Sequence, residues 1–436
     1  MKIDILHSEI WNGGGDRLIF SLAAALLQQG HDVTITTTWI DDYWKSQPVS
    51  KHITVRVVDC PLFRGDWHMR NLFVAVKELV LRRRSRRPPC DLLITDFSPS
   101  VIPLYRWLYG DAIKIIYYCH FPQQLWAPAD RQFLYRFYVF WICLLEEFCM
   151  SFADCIALNS FFTRDKVQYC MPSLPLYRHC ILYPAGEPGC IHADSALRED
   201  GEWIKDGKET AMTRMMRTVG ANDGRPIVFT LNRFWPEKKL ELLIEATGIY
   251  LTQQRPRPRS QQLDKSLASS AIRVVIAGSI AHRFPESPAY YRFLRQLAQS
   301  LQLDASSDVL FILSPSEAEK EALFRLSHVV VYTPPDEHFG IVPVECLQYG
   351  KLCIACDCGG PVETVLEGVT GLRMKHVDAA TLAHCMRRSF RLIRTNACTH
   401  THAARDKQRQ YEAQKQRFTF QMFSDNLRQI VAQLFS

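Results

Sequence analysis

The opening of the chain constrains its fold more than any other stretch. An apolar run from Ile3 to Leu6 leads into a glycine cluster, Gly13 to Gly15. Leu18, Leu22 and Leu26 then follow at helical spacing, Gly30 stops the pattern, and "DVTITTT" resumes an extended one. Strand, glycine loop, helix and strand in that order make a βαβ unit, the first step of a doubly wound parallel sheet. Strand patterns recur at "DLLIT" (91–95), "IKIIYY" (113–118) and "CIALNS" (155–160), which predicts a first domain over 1–184. The alternation restarts at "PIVFTLN" and continues through "IRVVIAG", "VLFIL", "HVVVYT" and "LCIAC", so a second α/β domain is expected over 185–416. Within it, residues 191–225 are polar with little apolar periodicity and read as an insertion or extended linker, and 251–271 as a polar surface loop. The last stretch, 417–436, carries Phe420, Phe423, Leu427, Ile430, Val431 and Leu434 close to helical spacing, a helix that needs a surface to cover. The first domain is the expected surface.

Composition narrows the class. With 47% hydrophobic and 22% charged residues over 436 positions, the chain is globular and long enough for separate cores. A net charge of +7 favours acidic partners, phosphates or an anionic membrane surface among them. The start, "MKIDILHSEI", is broken by Lys2, Asp4 and Glu9, so it does not read as a secretory signal, and the 15 cysteines are expected to be reduced and to face the cytosol. No apolar run is long enough to span a bilayer. The segment from Arg136 is the nearest candidate; its uncharged part ends at Glu146 and Glu147. It reads first as a buried core helix and otherwise as a segment lying in a bilayer interface, where Phe137, Tyr138, Phe140 and Trp141 are at home. "CIACDC" (Cys353, Cys356, Cys358) sits on a strand pattern without a second ligand pair, so buried strand cysteines are expected rather than a metal or redox site. "RRRSRR" (82–87) lacks interleaved aromatics and reads as a solvated helix end or a lipid- or diphosphate-attracting patch, not as a nucleic-acid site.

Three segments carry candidate chemistry. Glycines at a strand-to-helix turn let backbone approach a ligand, and a helix N-terminus offers unpaired N–H groups, so Gly14 and Gly15 are candidates for a phosphate-bearing donor. A ligand-free tight turn is the other reading. The run is not G-x-G-x-x-G and no acidic residue closes the next strand, which argues against a nicotinamide dinucleotide. In "LNRFWPEKKLELL", Arg233 and Lys238 follow a strand at a helix start and suit a diphosphate, although a solvated helix start has the same pattern. In "HVVVYTPPDEHFGIVPVECLQYG", a strand ends near Thr333, a Pro-rich loop holds Glu337, and a helix after Gly340 carries Glu345. Both carboxylates are expected at the crevice along the carboxyl ends of the strands, where sugar hydroxyls can donate to them.

E-x7-E from Glu337 to Glu345, the Arg233 and Lys238 pair, and the glycine loop resemble the retaining nucleotide-sugar glycosyltransferases of the GT-B fold. Within these, "YYCHFP" (117–122), "GDW" (65–67), "FADCIALNS" (152–160), "LNRFWPEKK" and "EHFGIVPVE" resemble the dolichol-pathway α-1,3/1,6-mannosyltransferases, in the same order along most of the chain. The family loop resembles G-G-A-E-R, and here Asp16 of "GGGDR" stands where a glutamate is common. The resemblance implies two Rossmann-like domains facing across a cleft, with the acceptor in the first and GDP-mannose in the second. It implies Arg233 and Lys238 on the diphosphate, Glu345 on the ribose and Glu337 on the sugar. It implies that the backbone of His338, Phe339, Gly340 and Ile341 lines the donor pocket and that His120 lies at the anomeric carbon. It implies a dolichyl-diphosphate oligosaccharide acceptor at the cytosolic face of the endoplasmic reticulum, peripheral or monotopic attachment, and company with other early mannosyltransferases of the pathway. No cofactor and no metal are expected, since no D-x-D occurs. Another GT-B mannosyltransferase acting later on the lipid-linked chain or on an inositol lipid, and a non-catalytic nucleotide-sugar binder, are the alternatives.

Overall fold

The computed structural model describes residues 1–11, 13–46, 52–60, 67–85, 90–122, 125, 133–186, 210–254, 272–281, 284–305, 307–396 and 402–436. "GDW" lies outside them except for Trp67, as does nearly all of 251–271, and the side chains of "RRRSRR" do as well. The chain divides into two compact units, Met1–Arg198 with Phe418–Ser436, and Glu199–Arg417.

The first unit holds strands β1 (Lys2–Leu6), β2 (Asp32–Thr37), β3 (Thr54–Val57), β4 (Leu92–Asp96), β5 (Lys114–Cys119), β6 (Cys155–Leu158) and β7 (His179–Ile181). Its helices are α1 (Gly14–Gln28), α2 (Asp42–Ser46), α3 (Trp67–Ser85), α4 (Ile102–Tyr109), α5 (Phe133–Met150) and α6 (Phe161–Cys170). The strands form one sheet in the order β3-β2-β1-β4-β5-β6-β7, with every pairing parallel. Chain order reverses at β1, so a crevice opens at the carboxyl ends of β1 and β4, the place where doubly wound sheets bind ligands. Ile3, Ile5, Ile94, Ile116 and Tyr118 face α1, while Leu93, Ile115 and Tyr117 face residues of α3, α4, α5 and α6.

The second unit holds α7 (Ala211–Thr218), β8 (Ile227–Leu231), α8 (Glu241–Gln254), β9 (Arg273–Gly278), α9 (Glu286–Ser300), β10 (Val309–Leu313) and α10 (Glu317–Leu326). It continues with β11 (Val329–Tyr332), α11 (Ile341–Gln348), β12 (Leu352–Cys356), α12 (Pro361–Thr364), β13 (Gly371–Met374), α13 (Ala379–Asn396) and α14 (His402–Arg417). Its strand order is β10-β9-β8-β11-β12-β13, again parallel throughout, with the reversal at β8. Cys353 and Cys356 are buried on β12 as expected, with Cys356 Sγ donating to the Thr333 carbonyl at 3.2 Å, whereas Cys358 lies past the end of the strand and is half-buried.

Two expectations are corrected. The described end of 191–225 is not linker: α7 lies there, capped by Thr210, whose hydroxyl accepts from Thr213 N at 3.1 Å. Met215 and Val219 are buried beside Ile227 and Phe229, a helical stripe too short for periodicity to reveal among charged neighbours. Nor is α5 a buried core helix. Cys149 and Met150 pack inward, whereas Phe137, Phe140, Trp141, Leu144, Leu145 and Phe148 are 43–57% exposed. Among its described side chains the buried ones, Glu146, Cys149 and Met150, lie toward its end. Among the described residues no helix is long and apolar enough to cross a membrane.

The terminal helix α15 (Phe420–Phe435) belongs to the first unit. Thr419 caps it, and Phe420, Phe423, Leu427, Ile430 and Val431 bury against the apolar side of α1. Gln29 adds a hydrogen bond from Nε2 to the Ser424 carbonyl at 2.9 Å. Phe423→Ala is expected to destabilise this unit by about 3–5 kcal/mol, the usual cost of emptying a buried phenylalanine site, read from the urea midpoint.

Candidate active site

In the first unit, the register of three neighbouring parallel strands builds a polar cluster. Leu6 pairs with Thr95 and Asp96 with Tyr118, so His7, Asp96 and His120 emerge together at the carboxyl ends of β1, β4 and β5. Asp96 is buried and holds both histidines: His7 Nδ1 donates to Oδ1 at 2.8 Å and His120 Nε2 donates to Oδ2 at 2.9 Å. The other ring nitrogen of His7 donates to Asp16 Oδ1 at 3.1 Å. Asp16 also accepts from the backbone N–H of Trp11 at 3.0 Å and of Gly13 at 2.8 Å, which fixes the glycine loop and the first turn of α1. Phe97, at φ 53°, stacks on His120 with ring centroids 4.5 Å apart. A Cβ on Gly15 would lie 2.9 Å from Phe97 Cζ, so that glycine is required by close approach, while Gly14 borders open space.

A histidine bonded on both nitrogens to carboxylates carries two protons. Burial alone disfavours the His7 imidazolium, but Asp96 and Asp16 outweigh it and raise its pKa to about 10. Burial likewise pushes Asp96 up, and the two histidines outweigh it, holding the carboxyl below its usual range.

In the second unit, Lys238 ends a short turn (Pro236–Lys238) ahead of α8, and Lys239 follows in the left-handed region at φ 51°. It stands before the helix rather than in its first turn. Lys238 Nζ donates to Glu337 Oε2 at 2.7 Å, and the Tyr332 hydroxyl donates to the same oxygen at 2.7 Å. Burial raises the Glu337 carboxyl, and Lys238 outweighs it, leaving the group lowered. Burial first, then Glu337, pushes the Tyr332 hydroxyl well above its ordinary value, so it stays a donor.

The loop after β11 is pinned by a second glycine pair. Gly360 N donates to the Glu337 carbonyl at 2.7 Å, and a Cβ on Gly360 would lie 2.3 Å from Phe339 Cα. Gly340 takes φ 81° just before α11, where a side chain would be strained. His338 and Ile341 are half-buried, Phe339 is buried, and Arg233 is exposed. The expectation for Glu345 is corrected. It does not present a carboxylate to the crevice: it is 1% exposed and its Oε1 accepts from Lys320 Nζ at 2.5 Å, with Glu317 also near that lysine. A helix two turns long places Glu345 on the side of α11 that faces α10. The structure thus brings together Lys238 with Glu337 and the Glu337–Phe339 loop with Gly360. His7, Asp96, Phe97, Tyr332 and Lys320 have no signal in the linear sequence.

Among the described residues no cluster of His, Cys, Asp or Glu is placed to hold a metal ion. The profile described as "Glycosyltransferase Family 4" matches residues 12–172, and that of "Glycosyl transferases group 1" matches 212–392. Among solved structures, sucrose-phosphate synthase from Thermosynechococcus elongatus aligns with a TM-score of 0.69 at 16% identity, covering 100% of this chain and 99% of that one. Anabaena HepE in complex with UDP aligns at 0.66 and 15%, covering 99% and 100%. These likenesses and the two parallel sheets define a glycosyltransferase of the GT-B fold.

Curated relatives narrow the class. Human α-1,3/1,6-mannosyltransferase ALG2 is 30% identical over 84% of this chain and 82% of its own length. The Saccharomyces cerevisiae enzyme of the same name is 27% identical over 85% and 72%. The chain belongs to the α-1,3/1,6-mannosyltransferase family. It is an enzyme, which sets aside the non-catalytic alternative.

The cluster around His7 makes a prediction. Its folded pKa, about 10, lies above the ordinary 6.5, so its contribution is full below pH 6.5 and is lost as pH rises through about 10. His7→Gln is expected to cost about 3–5 kcal/mol at neutral pH, as when one member of a buried charged set is removed. Denaturant melts from pH 6 to 10 should show the gap between wild type and variant closing. A gap constant with pH would mean that His7 is not charged in the fold.

Proposed function

We propose that this enzyme transfers mannose from GDP-mannose to a dolichyl-diphosphate-linked Man1GlcNAc2 acceptor, forming the α-1,3 and α-1,6 linkages, at the cytosolic face of the endoplasmic reticulum. The observation that carries the reading is the 30% identity to human ALG2 over 84% of the chain. The Lys238–Glu337–Tyr332 cluster supports it chemically. As the bond from the anomeric carbon to the diphosphate breaks, negative charge grows on the leaving oxygen, and Arg233 and Lys238 are cations suited to stabilise it without a metal. Retention follows if the acceptor oxygen attacks the face that the diphosphate leaves, and the departing phosphate oxygen takes the acceptor hydroxyl's proton. No cofactor enters this scheme.

Glu337 is assigned to the sugar hydroxyls, together with the backbone of His338, Phe339, Gly340 and Ile341 at the start of α11. Glu345, buried against Lys320, is given no donor contact. Gly14 and Gly15 are assigned to the phosphate-bearing donor, and His120 to the anomeric carbon. The other early mannosyltransferases of the pathway are the natural partners.

Incubation of the full chain with GDP-mannose and a phytanyl-diphosphate acceptor carrying one mannose on two N-acetylglucosamines is expected to add two hexoses by mass spectrometry. Lys238→Ala should lower turnover by roughly 10² to 10³, the scale for removing one transition-state charge stabiliser. Normal turnover in that variant would remove Lys238 from the mechanism.

Attachment to an anionic membrane surface is assigned to the exposed face of α5. Phe137, Trp141, Leu144 and Phe148 follow one another at helical spacing along it. Phe140→Glu/Trp141→Glu should reduce flotation with phosphatidylserine-containing liposomes by about tenfold or more and leave the melting temperature unchanged, because these side chains are more than half exposed. Undiminished flotation would place attachment elsewhere.

A further inference from the structure

Trp11 and Trp39 stand out among the exposed aromatic residues. Trp11 follows β1 and Trp39 follows β2, joined by the bridge between Ile10 and Ile40, so both sit beyond the carboxyl ends of the strands beside the polar cluster. Their ring centroids are 4.0 Å apart with a 33° tilt, yet they are 45% and 36% exposed. Two large apolar rings in mutual contact that still present surface to water form a platform, unlike singly scattered exposed aromatics.

The platform is held rigidly. The Trp11 ring N–H donates to Glu9 Oε2 at 3.1 Å, and Glu9 is itself paired with Arg70. The Trp11 carbonyl accepts from the buried Trp44 ring N–H at 2.7 Å, and its backbone N–H donates to Asp16 Oδ1. Asp16 leads through His7 and Asp96 to His120 by successive hydrogen bonds. The Trp39 carbonyl accepts from Ile10 N at 2.9 Å and from the Thr37 hydroxyl at 3.0 Å. Immobile aromatic surface beside carboxylates is the chemistry that recognises a pyranose: the C–H face of the sugar lies on the ring and its hydroxyls turn to polar neighbours. The ordering cost at binding is reduced, because the Trp11 ring is held by Glu9 and the Trp39 ring lies against it.

We propose that the Trp11–Trp39 pair is a stacking subsite for a pyranose ring of the acceptor saccharide. The proposal rests on the reading of the chain as a mannosyltransferase acting on a glycan. It is distinct from the assignment of α5 to lipid: this pair takes sugar.

The test uses the full chain, Trp39→Ala, and Trp11→Ala/Trp39→Ala. Trp39→Ala is the conservative arm, since its hydrogen bonds run through the backbone carbonyl. Saturation-transfer difference NMR with N,N′-diacetylchitobiose should show contact in the wild type and none in the double variant. KM for the phytanyl-diphosphate acceptor should rise about tenfold or more, as for loss of one aromatic stacking contact, while KM for GDP-mannose moves by less than about twofold, as expected when donor contacts are untouched. An unchanged acceptor KM, no chitobiose signal in the wild type, or loss of liposome flotation with acceptor KM unaltered would each overturn the proposal. A wild type that contacts chitobiose through these tryptophans but transfers no mannose would sustain the subsite and overturn the functional reading instead.

Discussion

Asp96 is the point on which the first unit's site depends. A buried carboxylate without counter-charge would protonate. Here one oxygen meets His7 and the other His120, and the group stays ionised inside the sheet edge. The arrangement then propagates outward. His7 cannot turn away, because Asp16 holds its second nitrogen, and Asp16 cannot move, because it caps the glycine loop at Trp11 and Gly13. His120 is left with one nitrogen committed and one for other partners. Phe97 and the bare Cα of Gly15 close the ring on either side. Four side chains thus fix one another's direction.

The second unit reaches a comparable rigidity by different means. Its loop runs from β11 to α11 with two prolines at its start. Stiffness comes from Gly360, whose N–H takes the Glu337 carbonyl, and from the absence of a Cβ there and at Gly359. The carboxylate of Glu337 is held independently by Lys238 and Tyr332. Backbone and side chain of one residue are therefore positioned by separate elements, β8's following turn on one side and the loop before α12 on the other.

Much of this was legible in the sequence. The strands of both sheets other than the edge strands β3, β7 and β13, the α1 stripe of Leu18, Leu22 and Leu26, the α15 stripe and the position of Glu337 in a loop after a strand follow from periodicity and from glycine and proline placement. The His7–Asp96–His120 convergence does not. It requires β4, not β2 or β3, to lie on the other side of β1, and a register that pairs Leu6 with Thr95. Periodicity sets neither. Glu345 was read correctly as a helix residue, but a spacing of eight positions cannot say which face it takes when the partner, Lys320, comes from a separate helix. The α5 segment misled for a related reason: an apolar run looks the same whether it is covered or faces solvent, and here, among its described side chains, burial is confined to the Glu146 to Met150 end.

The Lys238–Glu337 pair bears on how a diphosphate donor would be received. A lysine already neutralised by a carboxylate is a weaker anion trap than an unpaired one. It is also a better ordered one, because the ammonium is fixed at 2.7 Å and does not sample the conformations of a free side chain. An incoming diphosphate carries more charge than the single carboxylate and can draw the ammonium toward itself, while Tyr332 continues to hold Glu337. Glu337 then keeps its place with a weakened counter-ion and becomes a stronger acceptor for a hydroxyl. If the proposed assignments hold, phosphate recognition by the lysine and hydroxyl recognition by the glutamate would be coupled through one hydrogen bond, so that a ligand bearing both groups would gain more than the sum of the two separately.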